Sequence, residues 1–519
     1  MVSVVMVDSK HTQFEISPEV MTEWMSRCEE ALLMASQGNP SGLEKLCLRL
    51  SVDAGLPPEL LRRIAHLVMA RGALDHALRI YRRSLVLDAS CAETWFAIGL
   101  VHHYKGEFTE ATAFYEGALI HKPDEPKVRN NLASSLLAMS KKNSALHHVG
   151  IALILEPEFA EAHYNCALIL ESGPSKRASE ASYIRALNLN PLMAQAWTNR
   201  GKLRQESALF DQAMKDHQNA LILDPGLAEA MHNRATVLSE SREFESSVTA
   251  FHRAIRVWPE FASAHLGLSM TLLMVGRYLE GWCESEWRFR EKQQHGVLSR
   301  SASPRLTFEA LGDLDQKKIL LFWEHGLGDT IHFCRYAKLL QERGGKVILN
   351  VQSELLPLIR SMDPNVEVTS ESSDRLDADY HAYLMSLPHV FRTTVETIPG
   401  ECPYLFPPAE RVLVKQASAK NRHRRKIGLV FSGSSAFQND HNRSIPVDLF
   451  RDILSLPFDY HCLQKEIRPN DILELAKYPD LHQYEDQIRD FSDTASLVAE
   501  MDLIISVDTS VAHLAGAMA

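Results

Sequence analysis

Lys318 to Leu340 reads KILLFWEHGLGDTIHFCRYAKLL. The apolar run Ile319-Leu320-Leu321-Phe322 is too short for a helix and is bounded by polar residues, the pattern of a buried strand. Gly326-Leu327-Gly328 follows, where glycine opens backbone angles closed to other residues and lets a ligand approach the main chain. Beyond Asp329, the apolar positions Ile331, Phe333, Cys334, Ala337 and Leu340 recur at helical spacing. Strand, glycine turn and helix form the unit from which open α/β sheets build ligand crevices. The sequence before this stretch reads as helical and the sequence after it as α/β, so two architectures meet here.

Downstream, strands and helices alternate. The pattern predicts strands at 318–323 and 346–351, helices at 328–343 and 354–361, and extended pieces at 366–370 and 379–386. A second alternation follows Pro407-Pro408, with strands at 426–432, 460–464 and 502–507. Its helices are expected at 447–455, 469–477, 493–500 and 510–517, with an extended piece at 481–485. This implies two parallel-sheet lobes, 318–410 and 420–519, with ligands at the strand carboxyl ends.

Upstream, the chain repeats from about residue 58. Pro123, Pro157, Pro191, Pro225 and Pro259 stand 34 residues apart, and Ala118, Ala152, Ala186, Ala220 and Ala254 precede them by five. Tyr81, Tyr115, Tyr183 and Phe251 hold a third phase, and Trp95-x3-Gly99 and Trp197-x3-Gly201 a fourth. This pattern, over 58–290, resembles the tetratricopeptide repeat. It implies six full repeats and a partial one, each two antiparallel helices, stacked into a solenoid whose concave face binds a protein or peptide. Residues 1–57 read as a helical cap or degenerate repeat, and 291–317 as a linker. The aromatics Trp282, Trp287 and Phe289 at the end of the array are expected to pack on the next domain.

Composition bounds the function. At 519 residues, 45% apolar and 23% charged, the chain is globular and multi-domain. A net charge of −11 argues against a nucleic-acid surface, and Arg422 to Lys426 is only a local basic cluster. The eight cysteines are scattered singly without CxxC spacing, so neither a zinc site nor a disulfide framework is expected. The N-terminus lacks a basic region ahead of a long apolar one, and no apolar run approaches the ~20 residues that span a bilayer. The chain reads as cytoplasmic. Asp313-Leu314-Asp315 and Asp377-Ala378-Asp379 match a DxD pattern, but neither is expected to bind metal.

Four places carry candidate chemistry. Asp329, beside Gly326 and Gly328, is placed either as a general base or as a helix cap. Ser432 and Gly433, with Arg443 ten residues on, suit phosphate approach or a polar loop. Gln464-Lys465 follows a strand, where a lysine either neutralises a diphosphate leaving group or is merely solvated. In Asp508-Thr509-Ser510, with His513, a strand gives way to a helix start that forms an anion site, a cap, or both.

GLGDTIHFCRY, FSGSSAFQNDHNRSIP, LQKE, DFSDTASLVAEMD and SVDTSVAHLAGA occur in an order that resembles the family 9 glycosyltransferases, of the ADP-heptose:lipopolysaccharide heptosyltransferase type. The whole layout is similar to bacterial proteins that fuse tetratricopeptide repeats to such a domain. The resemblance implies a GT-B double Rossmann fold and metal-independent transfer from a nucleotide-sugar, a substrate rather than a cofactor. It implies Asp329 as the base for the acceptor hydroxyl, Arg443 near the donor phosphates, and Asp508, Thr509, Ser510 and His513 around the diphosphate. Repeats followed by GT-B also resemble the O-linked N-acetylglucosamine transferases, to whose diphosphate lysine Gln464-Lys465 is similar. The other catalytic-lobe signatures of those enzymes are not evident. Family 9 members continue past the helix after Asp508 through a further strand and helix, so the last lobe is expected to be incomplete at Ala519. The chain is then either a fragment or has this lobe completed by a partner; self-association is a further expectation. The alternative expectation is a non-catalytic repeat adaptor carrying a degenerate glycosyltransferase-like domain.

Overall fold

The computed structural model describes residues 56–171, 173, 175–290, 303–371, 377–408, 424–434, 440 and 443–519, together with parts of 22–52. Most of the expected N-terminal cap, the stretch 291–302 and residues 435–439, 441 and 442 lie outside the described residues. Two compact units, Met1–Val237 and Leu238–Ala519, are taken in turn.

In the first unit the repeat phases become helix hairpins: Pro58–Ala70 with Leu74–Leu87, Ala92–Tyr104 with Phe108–His121, Pro126–Ala138 with Lys142–Leu155, Ala160–Glu171 with Lys176–Leu189, and Ala194–Gln205 with Phe210–Leu223. Helix Ser41–Val52 precedes them. Small residues sit where helices touch. A Cβ on Gly99 would lie 2.6 Å from the Tyr115 ring, and one on Gly201 2.6 Å from the His217 ring. Ala118, Ala152, Ala186 and Ala220 are fully buried, and their carbonyls accept the N–H groups of Lys122, Glu156, Asn190 and Asp224, which end the second helices. The hairpin turns need a left-handed residue every 34 positions. Gly72 and Gly106 supply it at φ +79° and +76°, whereas Ser140 and Ala208 adopt it without glycine's freedom.

The turn between repeats has its own device. Trp95 Nε1 donates to the Ala89 carbonyl, Arg129 to that of Pro123 and Trp197 Nε1 to that of Pro191, each across six residues; His163 Nε2 is 3.0 Å from the Pro157 oxygen. The repeat phase of these tryptophans in the sequence does not by itself reveal this bond. At the phase of Tyr115 and Tyr183 stands His217, fully buried with neither ring nitrogen partnered among the described residues. Burial, and after it the neighbouring His232, pushes its pKa down to about 4.

The second unit opens with helices Phe244–Val257, Ala262–Met274 and Tyr278–Ser285. Two of the three aromatics at its array end meet the α/β region: Trp282 Nε1 donates to the Thr393 carbonyl, and Phe289 packs on Tyr383 with ring centroids 5.2 Å apart, whereas Trp287 stacks on His265 within the array at 3.7 Å. Two four-stranded parallel sheets follow. The first has β1 (Lys318–Phe322), β2 (Lys346–Asn350), β3 (Glu367–Thr369) and β4 (Tyr380–Tyr383) in the order β3-β2-β1-β4. The second has β5 (Lys426–Val430), β6 (Asp459–Cys462), β7 (His482–Gln483) and β8 (Leu503–Ser506) in the matching order β7-β6-β5-β8. All pairings are parallel, with Leu320 opposite Ile348 and His381, and Gly428 opposite His461 and Ile504. In both sheets the order reverses beside the first strand, so each crevice opens at the carboxyl ends of β1 and β4 or of β5 and β8.

Two readings change, and Asp379 gains a structural role. The single helix expected at 328–343 is two, Leu327–Phe333 and Tyr336–Gln341. The Arg335 guanidinium takes the His332 carbonyl and the Tyr404 hydroxyl takes that of Ile331, so the helical ladder is interrupted there. Leu306 and Leu314, in the stretch read as linker, are buried in the core that both lobes share. Asp379 of the DxD pattern accepts the Lys318 N–H at 2.8 Å, a strut between β1 and β4.

Candidate functional site

The carboxyl ends of β1, β5 and β8 converge through two helices. Helix Leu327–Phe333, after β1, packs against helix Ser510–Met518, after β8. Gly328 lies in the contact: a Cβ there would stand 2.9 Å from His513 Cδ2 and 3.4 Å from Ser510 Cα. Its small size, rather than its backbone freedom, is what the site needs. Gly326 likewise has an ordinary φ of −84°, and the left-handed residue of this turn is His325 at +54°.

Asp329 is the third residue of its helix, and its Oδ2 accepts the Gly326 N–H at 3.0 Å, the back-bonding half of a capping box whose N-cap, Gly326, has no side chain to return it. The capping alternative is thus realised; its carboxylate nonetheless remains at the edge of the crevice, half-buried. One turn on, His332 meets the His513 ring edge-on at 5.2 Å. Burial foremost, then the like charges of Arg335 and His513, pushes the His332 pKa down to about 4.

The second sheet contributes a polar cluster. Arg443 Nη1 donates to the Asp508 carbonyl at 3.1 Å, joining the β5 loop to the β8 loop. Gly433 fits between them, since a Cβ would meet Asp440 Oδ1 at 2.6 Å, Arg443 Cδ at 3.1 Å and Thr509 Cγ2 at 3.7 Å. Gly433 N–H donates to Ser444 Oγ, which in turn donates to Asp440. Asp508 itself is exposed, and Thr509 opens helix Ser510–Met518 in an extended conformation.

Gln464 and Lys465 belong to different surroundings. The Gln464 Oε1 accepts the Phe431 and Ser432 N–H groups, and its Nε2 donates to Ser432 Oγ at 2.7 Å, so the buried amide braces the start of the β5 loop. Lys465 Nζ donates to the Arg489 carbonyl, 2.9 Å away. Neither touches the Arg443–Asp508 junction among the described contacts. Gly326, Gly328, Asp329, Ser510 and His513 therefore form one group, and Gly433, Arg443, Asp508 and Thr509 a second that shares the same helix start.

Sequence reasoning assigned no role to Arg468. Its guanidinium donates to the Gly433 carbonyl, to Ser444 Oγ and to Asp440. Burial alone would raise the Asp440 carboxyl; the bonds from Ser444 and Arg468 outweigh it and hold the group below the usual carboxylate range. The only sequence signal for Arg468 is its place before the proline that starts a helix, shared with many solvated arginines.

The tetratricopeptide-repeat family matches residues 62–126 and 232–281. The chain is similar to protein FlbA of Caulobacter vibrioides, 26% identical over 295 residues that cover 50% of this chain and 47% of that protein. It is also similar to the human protein O-mannosyl-transferase TMTC1, 38% identical over 60 residues, 12% of this chain and 7% of that one. The chain thus spans about half the length of the first relative and under a tenth of the second. Among solved structures, the Pseudomonas aeruginosa pilF protein aligns with 40% of this chain and 94% of its own, at 16% identity and a TM-score of 0.37. The N-terminal half is a tetratricopeptide-repeat solenoid, an architecture that binds protein or peptide partners, joined in sequence to an α/β region of two parallel sheets.

Proposed function

We propose that the α/β region is a GT-B-type glycosyltransferase domain that binds a nucleotide-sugar, and that the repeat array docks its protein acceptor or partner. One juxtaposition carries this reading. The starts of helices Leu327–Phe333 and Ser510–Met518 lie against each other at the carboxyl ends of β1 and β8, with Arg443 bonded across to Asp508. A diphosphate at that junction would meet the Arg443 charge and the positive end of helix Ser510–Met518. Transfer would be a single displacement. Asp329 takes the proton of the acceptor hydroxyl as its oxygen attacks the anomeric carbon, and the bond to the nucleoside diphosphate breaks with its charge stabilised at the junction.

The first test is a thermal-shift titration with ADP, GDP, UDP and their sugars. A saturable rise for one nucleotide, lost in Arg443→Ala and Asp508→Ala, is the expected result. Asp329→Asn retains a carbonyl for the Gly326 cap, so transfer should vanish while donor binding stays. Unchanged turnover would remove Asp329 from the mechanism. The adaptor reading is favoured by a specific observation: Asp329, Gln464 and Lys465 are all engaged with backbone groups. It predicts no nucleotide shift from a folded sample.

A further inference from the structure

We infer that Asp459, His461 and His482 form a binding site for a divalent transition metal of the zinc class, separate from the strand-end cluster. Asp459 and His461 are two residues apart on β6 and so share a face, while His482 on β7 pairs directly with His461. His482 Nε2 lies 3.1 Å from Asp459 Oδ1, and His461 Nε2 lies 3.4 Å from Asp459 Oδ2. The three ligand atoms lie within 4.8 Å of one another. Nitrogen and oxygen ligands of zinc bind at about 2.0–2.2 Å, which places neighbouring ligands of a tetrahedral ion roughly 3.3–3.5 Å apart. The spacing of His461 from the carboxylate is that of two ligands on one ion, and a ligand pair as wide as the 4.8 Å limit would have to draw in to about 4.2 Å for the ion to reach both.

Two further observations point to a cation. Asp459 and His461 are each 2% exposed, and the buried His461 Nε2 makes no well-aligned hydrogen bond among the described residues, its 3.4 Å approach to Asp459 Oδ2 included. The other ring nitrogen, Nδ1, is 2.8 Å from the Tyr484 hydroxyl. A proton donated there leaves the Nε2 lone pair facing the carboxylate, the tautomer a metal requires and one that an outer partner commonly fixes. Two imidazoles and one carboxylate suit zinc, cobalt or nickel, whereas calcium and magnesium prefer oxygen ligands. The His482 side chain is 45% exposed, leaving a path for the ion and a fourth position for water.

Asp459 opens β6, and Gln464 beyond its far end is about 16 Å away along an extended chain. The ion would therefore not meet the proposed donor. It would fasten β7, an edge strand of two residues, to the sheet.

The full chain should be titrated with cobalt(II) and followed by its d–d absorption, with zinc(II) and EDTA as competitors. The inference expects one equivalent of low-symmetry cobalt, displaced by zinc, and a higher melting midpoint with zinc. His482→Gln alters an exposed side chain and keeps the fold, and Asp459→Asn removes the charge; each should weaken cobalt binding at least about tenfold. A folded wild type with no cobalt spectrum and no zinc shift overturns the assignment. So does cobalt binding equally well to both variants. Neither outcome depends on nucleotide binding.

Discussion

Two guanidinium–carboxylate pairs stand beside the carboxyl ends of the two sheets, one at β1 and one at β5, and they are built in opposite ways. At β1, Arg288 clasps Glu324 through two hydrogen bonds of 2.9 and 2.8 Å and also donates to Ser386; both side chains of the pair are 6% exposed. At β5, Arg468 pairs with Asp440 while its own side chain is 34% exposed. Identical strand order has thus been given two uses of charge. The first sheet seals its pair inside, where it holds the end of the helical array against β1. The second leaves its cation at the rim, beside Gly433 and within the same loop cluster as Arg443. One pair is covered and the other is left partly open to water.

That contrast can be broken most forcefully at Arg288. Removing one partner of a sealed pair leaves a buried charge, so Arg288→Ala should lower stability by about 3–5 kcal/mol in urea unfolding. Arg288→Met combined with Glu324→Leu should recover most of it; failure of the double variant to do so would mean the pair has another role. Next is Gln464→Ala, which strips two buried backbone N–H groups of their acceptor and should cost about 1–3 kcal/mol. A loss below that range would place Gln464 among residues free to turn toward a ligand. Arg468→Ala should cost no more than about 1 kcal/mol because water already reaches it. The lowered Asp440 carboxyl gives the same pair a pH signature. Its stabilisation is complete above the ordinary value of 3.8 and is lost as pH falls through the folded value, a loss that Arg468→Ala should blunt in acid unfolding.

A separate pH effect belongs to His332, where the two lobes touch. Its folded pKa of about 4 lies below the ordinary 6.5, so across that window the unfolded chain binds a proton that the folded chain refuses. Stability then declines as pH falls from 6.5 toward 4. Between about pH 7 and about pH 5, urea midpoints should fall less in His332→Phe than in the parent. Equal slopes would show that the imidazole is more open to water than its contact with His513 implies.

The array was legible because a period survives any uncertainty about a single residue: prolines 34 apart locate helix ends wherever the exact caps fall. Both sheets were legible because buried parallel strands read as short apolar runs, and β1, β2, β5 and β8 all do. Residues whose role depends on a partner distant in sequence were not legible. Arg335 breaks a helix through its bonds to His332 and Tyr404, and Arg468 acts on a loop that precedes it by 35 residues. The trio of Asp459, His461 and His482 arises only from the β6–β7 register. Gly328 was found for the wrong reason, since sequence cannot separate a glycine kept for its φ from one kept for lack of a Cβ.

The strap after the first lobe bears on how the chain is made. Tyr404 and Leu405 donate their N–H groups to the Ala517 carbonyl, and Cys402 Sγ donates to that of Gly516, 114 residues further on. At about 5–20 residues per second on the ribosome, the strap would wait roughly 6–23 s for the helix that receives it. During synthesis the first lobe therefore stays open along this side while the second emerges, until helix Ser510–Met518 arrives to receive the strap.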